Sequence, residues 1–346
     1  MFPVTEREPA LSLLGKLRLR RMRQRLLLRA WRKRRQLIAV SDRTAEIGES
    51  DILCFATMRN ELLRLPEWLA HHRALGISHF LIVLNQSDDG SAEYLSDCLD
   101  VSIWRTETSY RLSRFGMDWL TWLQIRFGHG HWCLTLDADE LLLIPHHGER
   151  DLGDLTKFLD VRGAESFGAT MIDLYPDRPL DAAGVKARKD ALESLTLYDA
   201  DTYRARRHWR FDNLWIQGGP RERMFFRDRP GLSPTLNKQM LVKWNRRYAY
   251  VSSTHQLLPR RLNRCFPTQA DRHPWGALLH TKFTDGIGAR TREEIGRDEH
   301  FENSAMYRDY YEALTQSPHF RFSGSRRFTG WAQLEKDGLI WRGDWL

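Results

Sequence analysis

The stretch His131 to Pro145 reads HWCLTLDADELLLIP, and it constrains the fold of this chain more than any other segment. An apolar run leads into three carboxylates, Asp137, Asp139 and Glu140, and the sequence then becomes apolar again. Three unpaired anions at the end of a buried strand would be costly, whereas a hard divalent cation with a phosphate ligand would satisfy their oxygens. We therefore expect Asp137 and Asp139 to hold Mn²⁺ or Mg²⁺ against a diphosphate.

The spacing of two aspartates around one alanine is not specific by itself. Asp199-Ala200-Asp201 repeats the same tripeptide, but it lies in a polar, arginine-rich stretch. The context predicts a solvated loop at Asp199 and Asp201, and a ligand site only at Asp137 and Asp139.

The basic charge of the protein is concentrated near its N-terminus. The 346 residues carry a formal charge of +8, and residues 16–35 contain eleven lysines and arginines and no acid. The remainder of the chain is therefore slightly acidic, which argues against a broad nucleic-acid-binding face on the folded part. The sequence does not favour nucleic acid as a partner.

The N-terminal segment has the pattern of an amphipathic helix. Over residues 11–38, Leu19, Met22, Leu26 and Ala30 form one stripe with arginines around it. Each Lys or Arg near an anionic bilayer contributes roughly 1 kcal/mol of attraction. The predicted helix could therefore contact an anionic membrane surface. The alternatives are that it is a solvated charged helix, that it packs on a partner, or that it binds RNA.

Cysteine usage and hydropathy are typical of a cytoplasmic protein. Cys54, Cys98, Cys133 and Cys265 lie far apart without metal-ligand spacing, so we expect reduced, structural thiols. No run approaches the roughly 18–20 apolar residues of a spanning helix, and arginines interrupt the N-terminal leucines where a signal peptide needs an apolar core. The prediction is a cytoplasmic protein, peripheral on the inner membrane face if residues 11–38 bind lipid.

Short apolar strands alternate with amphipathic helices over residues 51–145. The predicted elements are strands at 52–57, 79–84 and 101–104, helices at 66–75 and 115–127, and then the carboxylate strand. Near-continuous apolar strands joined by helices indicate an α/β fold with a mainly parallel sheet covered on both faces. The carboxyl ends of such strands share one edge, so the turns after 84 and 136 should face the same ligand.

The second half of the chain is less regular. Residues 169–175 predict a strand, residues 216–226 a glycine turn before a strand, and residues 290–316 a polar helical region. The expected division of the chain is a basic arm and linker at 1–50, an α/β domain at 51–285 and a C-terminal helical extension at 286–346.

Four short motifs follow one another in the first half. They are TMRNE at 57–61, PEWLAHH at 66–72, DGS at 89–91 and LDADE at 136–140. In this order they resemble the family 2 type glycosyltransferases, closest to the bacterial branch that makes surface polysaccharide and lipopolysaccharide. The resemblance implies the GT-A fold of nucleotide-diphospho-sugar transferases. It also implies a nucleoside diphosphate-sugar donor and a glycan or glycolipid acceptor.

The resemblance also implies which residues bind the donor. The turn after the first strand would line the nucleotide pocket, and the turn after the second would meet the base and ribose. The implied donor-binding residues are Thr57, Arg59, Asn60, Glu61, Asn85, Asp89, Asp137, Arg221 and Lys243. Where many relatives carry two aspartates after the second strand, this chain has Asn85 and Gln86, so the nucleotide is not assigned.

In such enzymes a metal neutralises the departing nucleoside diphosphate while a base takes a proton from the attacking hydroxyl, and the anomeric centre inverts. Candidates for the base are Asp173, Glu222, His255 and His280. His280 follows an apolar run, and it is expected to join Asp137 and Asp139 as a metal ligand, to contact phosphate, or to be a satisfied core histidine.

Two other functions are alternatives. A haloacid dehalogenase type phosphohydrolase also places two aspartates one residue apart at a strand end. In this chain Leu141 stands where such enzymes usually have Thr or Val, and the motif does not open the domain. The second alternative is a non-catalytic binding protein on a degenerate GT-A fold, which would not need the aspartate pair. The sequence favours a metal-dependent, inverting glycosyltransferase.

Overall fold

The apolar runs of the sequence form a nine-stranded sheet with helices packed on both of its faces. The computed structural model describes residues 11–180, 193–266, 272–284, 287, 310 and 312–345. Numbered along the chain, the strands are β1 (Ile38–Ser41), β2 (Ile52–Met58), β3 (His79–Asn85), β4 (Val101–Thr106), β5 (Trp132–Thr135), β6 (Glu140–Leu143), β7 (Ser166–Asp173), β8 (Leu197–Asp199), β9 (Arg204–His208), β10 (Asn213–Gln217), β11 (Asn237–Lys243), β12 (Ala249–Ser252), β13 (Gln256–Leu258), β14 (Gly276–His280) and β15 (Ser325–Arg327). The helices are α1 (Leu13–Lys33), α2 (Leu65–Ala74), α3 (Ser91–Ser96), α4 (Met117–Phe127), α5 (Leu152–Val161), α6 (Gly219–Phe225) and α7 (Trp331–Lys336).

The large sheet is mixed but mostly parallel. Its spatial order is β1-β4-β3-β2-β5-β11-β7-β14-β6. Strands β2 to β5 are mutually parallel neighbours, and β14 runs parallel to β7. Strands β1, β11 and β6 are antiparallel to their neighbours. The predicted α/β fold with a mainly parallel sheet and flanking helices is confirmed.

Alternation along the strands gives the sheet two apolar faces. On β2, Cys54 and Ala56 pack toward α2, α3 and α5, while Leu53 and Phe55 pack toward α4. This two-sided burial explains why the strands are apolar at nearly every position.

One predicted strand is wrong, because the chain is helical there. Within the segment 216–226, α6 follows Gly218, whose φ of 133° breaks the extended chain. Pro220 lies in the first turn of α6, where its fixed φ favours a helix and its missing N–H costs nothing.

The helix predicted within residues 11–38 is confirmed, and it packs on the α/β domain. Leu19, Leu26 and Ala30 are buried. Arg29 donates to the buried carboxylate of Asp118 on α4 through Nε at 3.2 Å and Nη2 at 3.0 Å. The predicted apolar stripe therefore faces the protein, and most of the arginines around it are exposed.

The remaining predictions concern the cysteines, membrane-spanning helices and the C-terminal region. All four cysteines are free, as predicted, and three of them are buried. Among the described residues, no helix combines the length and the apolar character that a membrane span requires. The helical region predicted at 290–316 lies almost entirely outside the described residues. Nearer the C-terminus, β15 pairs with β8 and α7 packs beside Leu339 and Ile340.

Candidate active site

The strand register gathers the predicted acidic residues at one end of the sheet. Asp173 at the end of β7 lies opposite His280 at the end of β14, and His280 lies opposite Glu140 at the start of β6. Asp137 and Asp139 occupy the turn that leads from β5 into β6. One row across three strands thus brings Asp173, His280 and Glu140 beside the two aspartates.

His280 links two carboxylates. Its Nδ1 lies 2.6 Å from Oδ1 of Asp173, and its Nε2 lies 3.1 Å from Oδ2 of Asp139. Arg221 donates from Nε to the other oxygen of Asp173 at 2.8 Å. Burial opposes charge on the imidazole, but Asp139 and Asp173 together raise the pKa of His280 above its ordinary value. Likewise, burial opposes ionisation of Asp139, but His280 holds the pKa of that carboxyl well below its usual range.

Lys238 is the buried counter-charge of the acidic turn. Its Nζ lies 3.0 Å from Oδ2 of Asp137 and 2.8 Å from Oε1 of Glu140. Burial disfavours the ammonium, yet Asp137 and Glu140 raise the pKa of Lys238. Burial also raises the pKa of Glu140, against the attraction of Lys238. The side chain of Asp137 stays 51% exposed, so this carboxylate can still meet a ligand.

The donor atoms of Asp139 and His280 fit two ligands of one divalent cation. Carboxylate oxygen and imidazole nitrogen both suit Mn²⁺, and a carboxylate on the other ring nitrogen is the usual support of a ligating histidine. When Nδ1 donates a hydrogen bond to Asp173, Nε2 carries a lone pair that faces the carboxylate of Asp139. These two groups repel each other unless a proton or a metal ion lies between them. Within the described residues no three His, Cys, Asp or Glu side chains are placed to hold an ion alone. Asp137 and diphosphate oxygens would complete such a site.

The two turns predicted to bind the donor are joined to each other. Asn60, with φ of 52°, donates from Nδ2 to Asp88 at 2.9 Å and accepts from the Asp88 backbone N–H at 3.0 Å. Asp89 accepts from the backbone N–H of Leu62 at 2.9 Å and from that of Ser91 at 3.0 Å. The turns after β2 and β3 therefore form one wall beside the acidic turn.

Other residues predicted to bind the sugar donor lie in or close to these two turns and make contacts within the protein. Asn85 is buried and donates to the backbone carbonyls of Thr106 and Thr108. Thr57 packs against Gly116, where a Cβ would lie 2.6 Å from its Oγ1. Arg59 and Glu61 belong to the turn after β2. Oε2 of Glu61 lies 3.5 Å from Nε of Arg64. Contact of these residues with a donor stays a prediction.

Lys243 and Glu222 are not brought to the carboxylates. Lys243 lies opposite Trp132 at the start of β5, at the far end of the sheet from Asp137, and pairs with Asp160 at 2.8 Å. Glu222 pairs with Arg204 and accepts a hydrogen bond from Ser233.

His255 also lies near the acidic turn, and its imidazole is uncharged. Its Nδ1 contacts the backbone carbonyl of Asn237. Burial lowers the pKa of His255 to about 3, with Lys238 and Arg221 adding to the effect. The imidazole is therefore neutral at physiological pH.

Two side chains of the candidate site were not predicted from the sequence. Lys238 is buried in β11, and a buried cation needs a carboxylate partner. The strand reads NKQMLVK, and with four polar residues out of seven it did not reveal that this lysine is buried. Arg64 is buried near Thr281 and Thr284, and it is close enough to Asp139 to lower the pKa of that carboxyl.

Comparison with known proteins gives partial matches to plant glycosyltransferases. No family model matches the chain. Glycosyltransferase family 92 proteins are 29% identical over 119 residues in Oryza sativa subsp. japonica, 28% over 109 in Ricinus communis and 27% over 123 in Arabidopsis thaliana. These alignments cover 32%, 29% and 33% of this chain, but only 19%, 18% and 20% of the relatives. The chain therefore matches about a fifth of the length of these curated relatives, and the matches support a distant relationship to glycosyltransferases.

Comparison with solved structures adds little. A protein described as a glucose-1-phosphate thymidylyltransferase from Bacillus anthracis aligns over 76% of this chain and 83% of its own, at 7% identity and a TM-score of 0.27. HddC from Yersinia pseudotuberculosis aligns over 63% of this chain and 80% of its own, at 9% identity and a TM-score of 0.27. At these scores neither likeness carries an argument. The bacterial polysaccharide branch stays a prediction.

Proposed function

We propose that the protein is a metal-dependent glycosyltransferase of the GT-A type, using a nucleoside diphosphate-sugar donor and a glycan or glycolipid acceptor in cell-surface polysaccharide synthesis. The observation that carries the proposal is the contact between Asp139 and His280, with Asp173 behind the imidazole and the exposed Asp137 beside it. The distant similarity to family 92 glycosyltransferases supports the same class of reaction.

Asp139, His280 and Asp137 would hold the divalent cation, Mn²⁺ or Mg²⁺. Such an ion neutralises charge on the departing nucleoside diphosphate. Asp173 orients the imidazole of His280, and Arg221 fixes Asp173 in turn. Lys238 holds the acidic turn at the end of the sheet and adds positive charge beside the position proposed for the diphosphate.

Among the four candidates for the base, we favour His255. Both oxygens of Asp173 are paired, and both oxygens of Glu222 have partners. Both ring nitrogens of His280 contact carboxylates. Across the described residues, Nε2 of His255 has no hydrogen-bond partner, and its lone pair is available because the ring is neutral. An anionic diphosphate beside Lys238 would offset one of the charges that lower the pKa of His255 and so strengthen it as a base.

A panel of nucleoside diphosphate-sugars tests the proposed function. Thermal melting with and without Mn²⁺ should show a rise in melting temperature that requires both the metal and one nucleotide-sugar. With that donor, the Asp139→Ala variant should lose about 10²-fold of donor hydrolysis or transfer while it stays folded. Matched panels of phosphate monoesters serve as the control. Stabilisation or turnover by monoesters alone would favour the phosphohydrolase, and no response to any nucleotide would favour a non-catalytic protein.

We also propose that the protein acts at the cytoplasmic face of a membrane. Its helix α1 exposes Leu14, Leu17, Leu28 and Trp31, and its exposed arginines lie among them. A surface that mixes aliphatic, indole and guanidinium groups suits the interface of an anionic bilayer.

A further inference from the structure

A cavity lies where α1 meets the segment that follows β13. It has a volume of about 360 Å³, within the range of about 300–1,000 Å³ typical of small-molecule sites. Its apolar lining comes from Leu11, Leu19, Leu258 and Pro259. Both sides of the cavity are ordered by packing, because Leu19 and Leu258 are buried in one cluster with Phe211. The cavity is therefore part of the folded body, and it is remote in sequence from the acidic turn.

Positive charge surrounds this cavity from both sides. Six cationic residues line it: Lys16, Arg20, Arg23, Arg260, Arg261 and Arg264. Lys16, Arg20 and Arg23 share one face of α1, since positions three and four apart on a helix are neighbours. No acidic residue lines the cavity within the described chain.

Only part of this charge is neutralised inside the protein. Arg261 pairs with Glu165 at 2.7 Å, and Arg264 pairs with Asp212. Among the described residues, no carboxylate pairs with Lys16, Arg20 or Arg23, and the helix segment that carries them has no acid. The cations on the helix side of the cavity therefore lack a counter-charge from the described part of the chain.

The like charges also act on one another. Burial lowers the pKa of Arg23, and the neighbouring Arg20, Arg261 and Arg247 lower it further. Holding guanidinium groups this close costs electrostatic free energy that an anion between them would recover. A phosphate offers several oxygens at once, and arginine forks match their geometry better than lysine does.

We propose that the cavity between α1 and residues 258–264 binds a phosphate group, supplied either as free phosphate or as the headgroup of an anionic lipid. The cationic rim would contact the phosphate oxygens, and Leu11, Leu19, Leu258 and Pro259 would meet an attached apolar chain where one is present. This site is separate from the proposed glycosyl transfer and does not depend on it.

Calorimetric titration of the full chain with three soluble probes tests the proposal. The probes are inorganic phosphate, pyrophosphate and dihexanoylphosphatidate below its micelle concentration. The Arg20→Gln/Arg23→Gln variant removes two cavity charges. The control, Arg18→Gln/Arg25→Gln, removes two exposed charges of the same helix that do not line the cavity. Glutamine keeps helix propensity in both variants, and melting temperatures check that they fold.

We expect saturable binding of at least one probe, about tenfold or more weaker in the cavity variant and changed less than about threefold in the control. Lys16→Gln should give a smaller loss and serves as the second test if the double variant does not fold. Tighter binding of dihexanoylphosphatidate than of phosphate assigns the site to lipid, and equal binding assigns it to the free anion. Equal losses in cavity and control variants, or no saturable binding of any probe, would overturn the proposal.

Discussion

Replacing Lys238 by methionine should be among the most destabilising single changes in this protein. The side chain of Lys238 is 3% exposed, and it contacts two carboxylates, of which Glu140 is 1% exposed. Methionine has a similar length and is apolar, so the change removes the charge while it largely keeps the volume. The variant therefore leaves the buried Glu140 without its cation, so the carboxyl must either stay charged and uncompensated or take up a proton.

The expected loss follows from the burial of both partners. Removing one member of a buried ion pair costs about 3–5 kcal/mol, because the remaining charge is desolvated and uncompensated. Lys243, on the same strand, supplies the matched control. Its pair with Asp160 is 42% and 40% exposed, so Lys243→Met should cost about 0–1 kcal/mol. The two lysine variants should thus differ by about 3 kcal/mol in free energy of unfolding.

Urea denaturation followed by tryptophan fluorescence, with a chelator present, measures this difference. A second variant isolates the cause: adding Glu140→Gln to Lys238→Met replaces the uncompensated anion by a neutral amide and should recover more than half of the loss. If Lys238→Met and Lys243→Met destabilised the protein equally, or if Glu140→Gln gave no recovery, Lys238 would not be the counter-charge of the acidic turn.

Two further predictions concern the base and helix α1. His255→Ala should lower kcat for sugar transfer by about 10²-fold or more with little change in donor KM, whereas Glu222→Gln should stay within a few-fold of the parent; the opposite ranking would remove His255 as the base. Replacing Arg18, Arg21 and Arg25 by glutamine should release the protein from phosphatidylglycerol vesicles in a salt-sensitive way, and unchanged sedimentation would remove the membrane proposal.

The parts of the fold that could be predicted depend on local pattern. Strands β2, β3 and β5 were predictable because each is a short apolar run, and α2 because its apolar residues repeat at helical spacing. The insertion of β11 between β5 and β7 was not predictable, because strand pairing is decided by packing between distant segments. That insertion delivers Lys238 to the acidic turn.

For the candidate site, too, local sequence pattern predicted some residues, whereas those brought together from distant segments were not predicted. Asp137 and Asp139 were identified from context, but their partners lie far away in sequence: Lys238 is 101 residues from Asp137, and His280 is 141 residues from Asp139. Lys243 was predicted to bind the donor and Lys238 was not, because a single sequence does not reveal which end of a strand meets the ligand.

The second Asp-Ala-Asp tripeptide gives a further correction. Asp201 is exposed, as a solvated loop requires. The prediction is wrong for Asp199, which is fully buried, pairs with Arg223 at 2.9 Å and accepts from the Tyr175 hydroxyl at 2.6 Å. The arginine-rich surroundings indicated solvent exposure, whereas in the fold a more distant arginine, Arg223 on α6, pairs with the buried carboxylate of Asp199.

The central claim is that Asp139 and His280 hold a divalent cation, and the most direct test is a Mn²⁺ titration. Electron paramagnetic resonance follows the signal of the free Mn²⁺, which the ion loses when it binds. With the stabilising nucleoside diphosphate present, the parent protein should bind Mn²⁺, and Asp139→Asn and His280→Ala should each weaken that binding about tenfold or more. Asp201→Asn should bind like the parent. Unchanged Mn²⁺ affinity in both site variants would contradict the claim that Asp139 and His280 hold a divalent cation against a diphosphate.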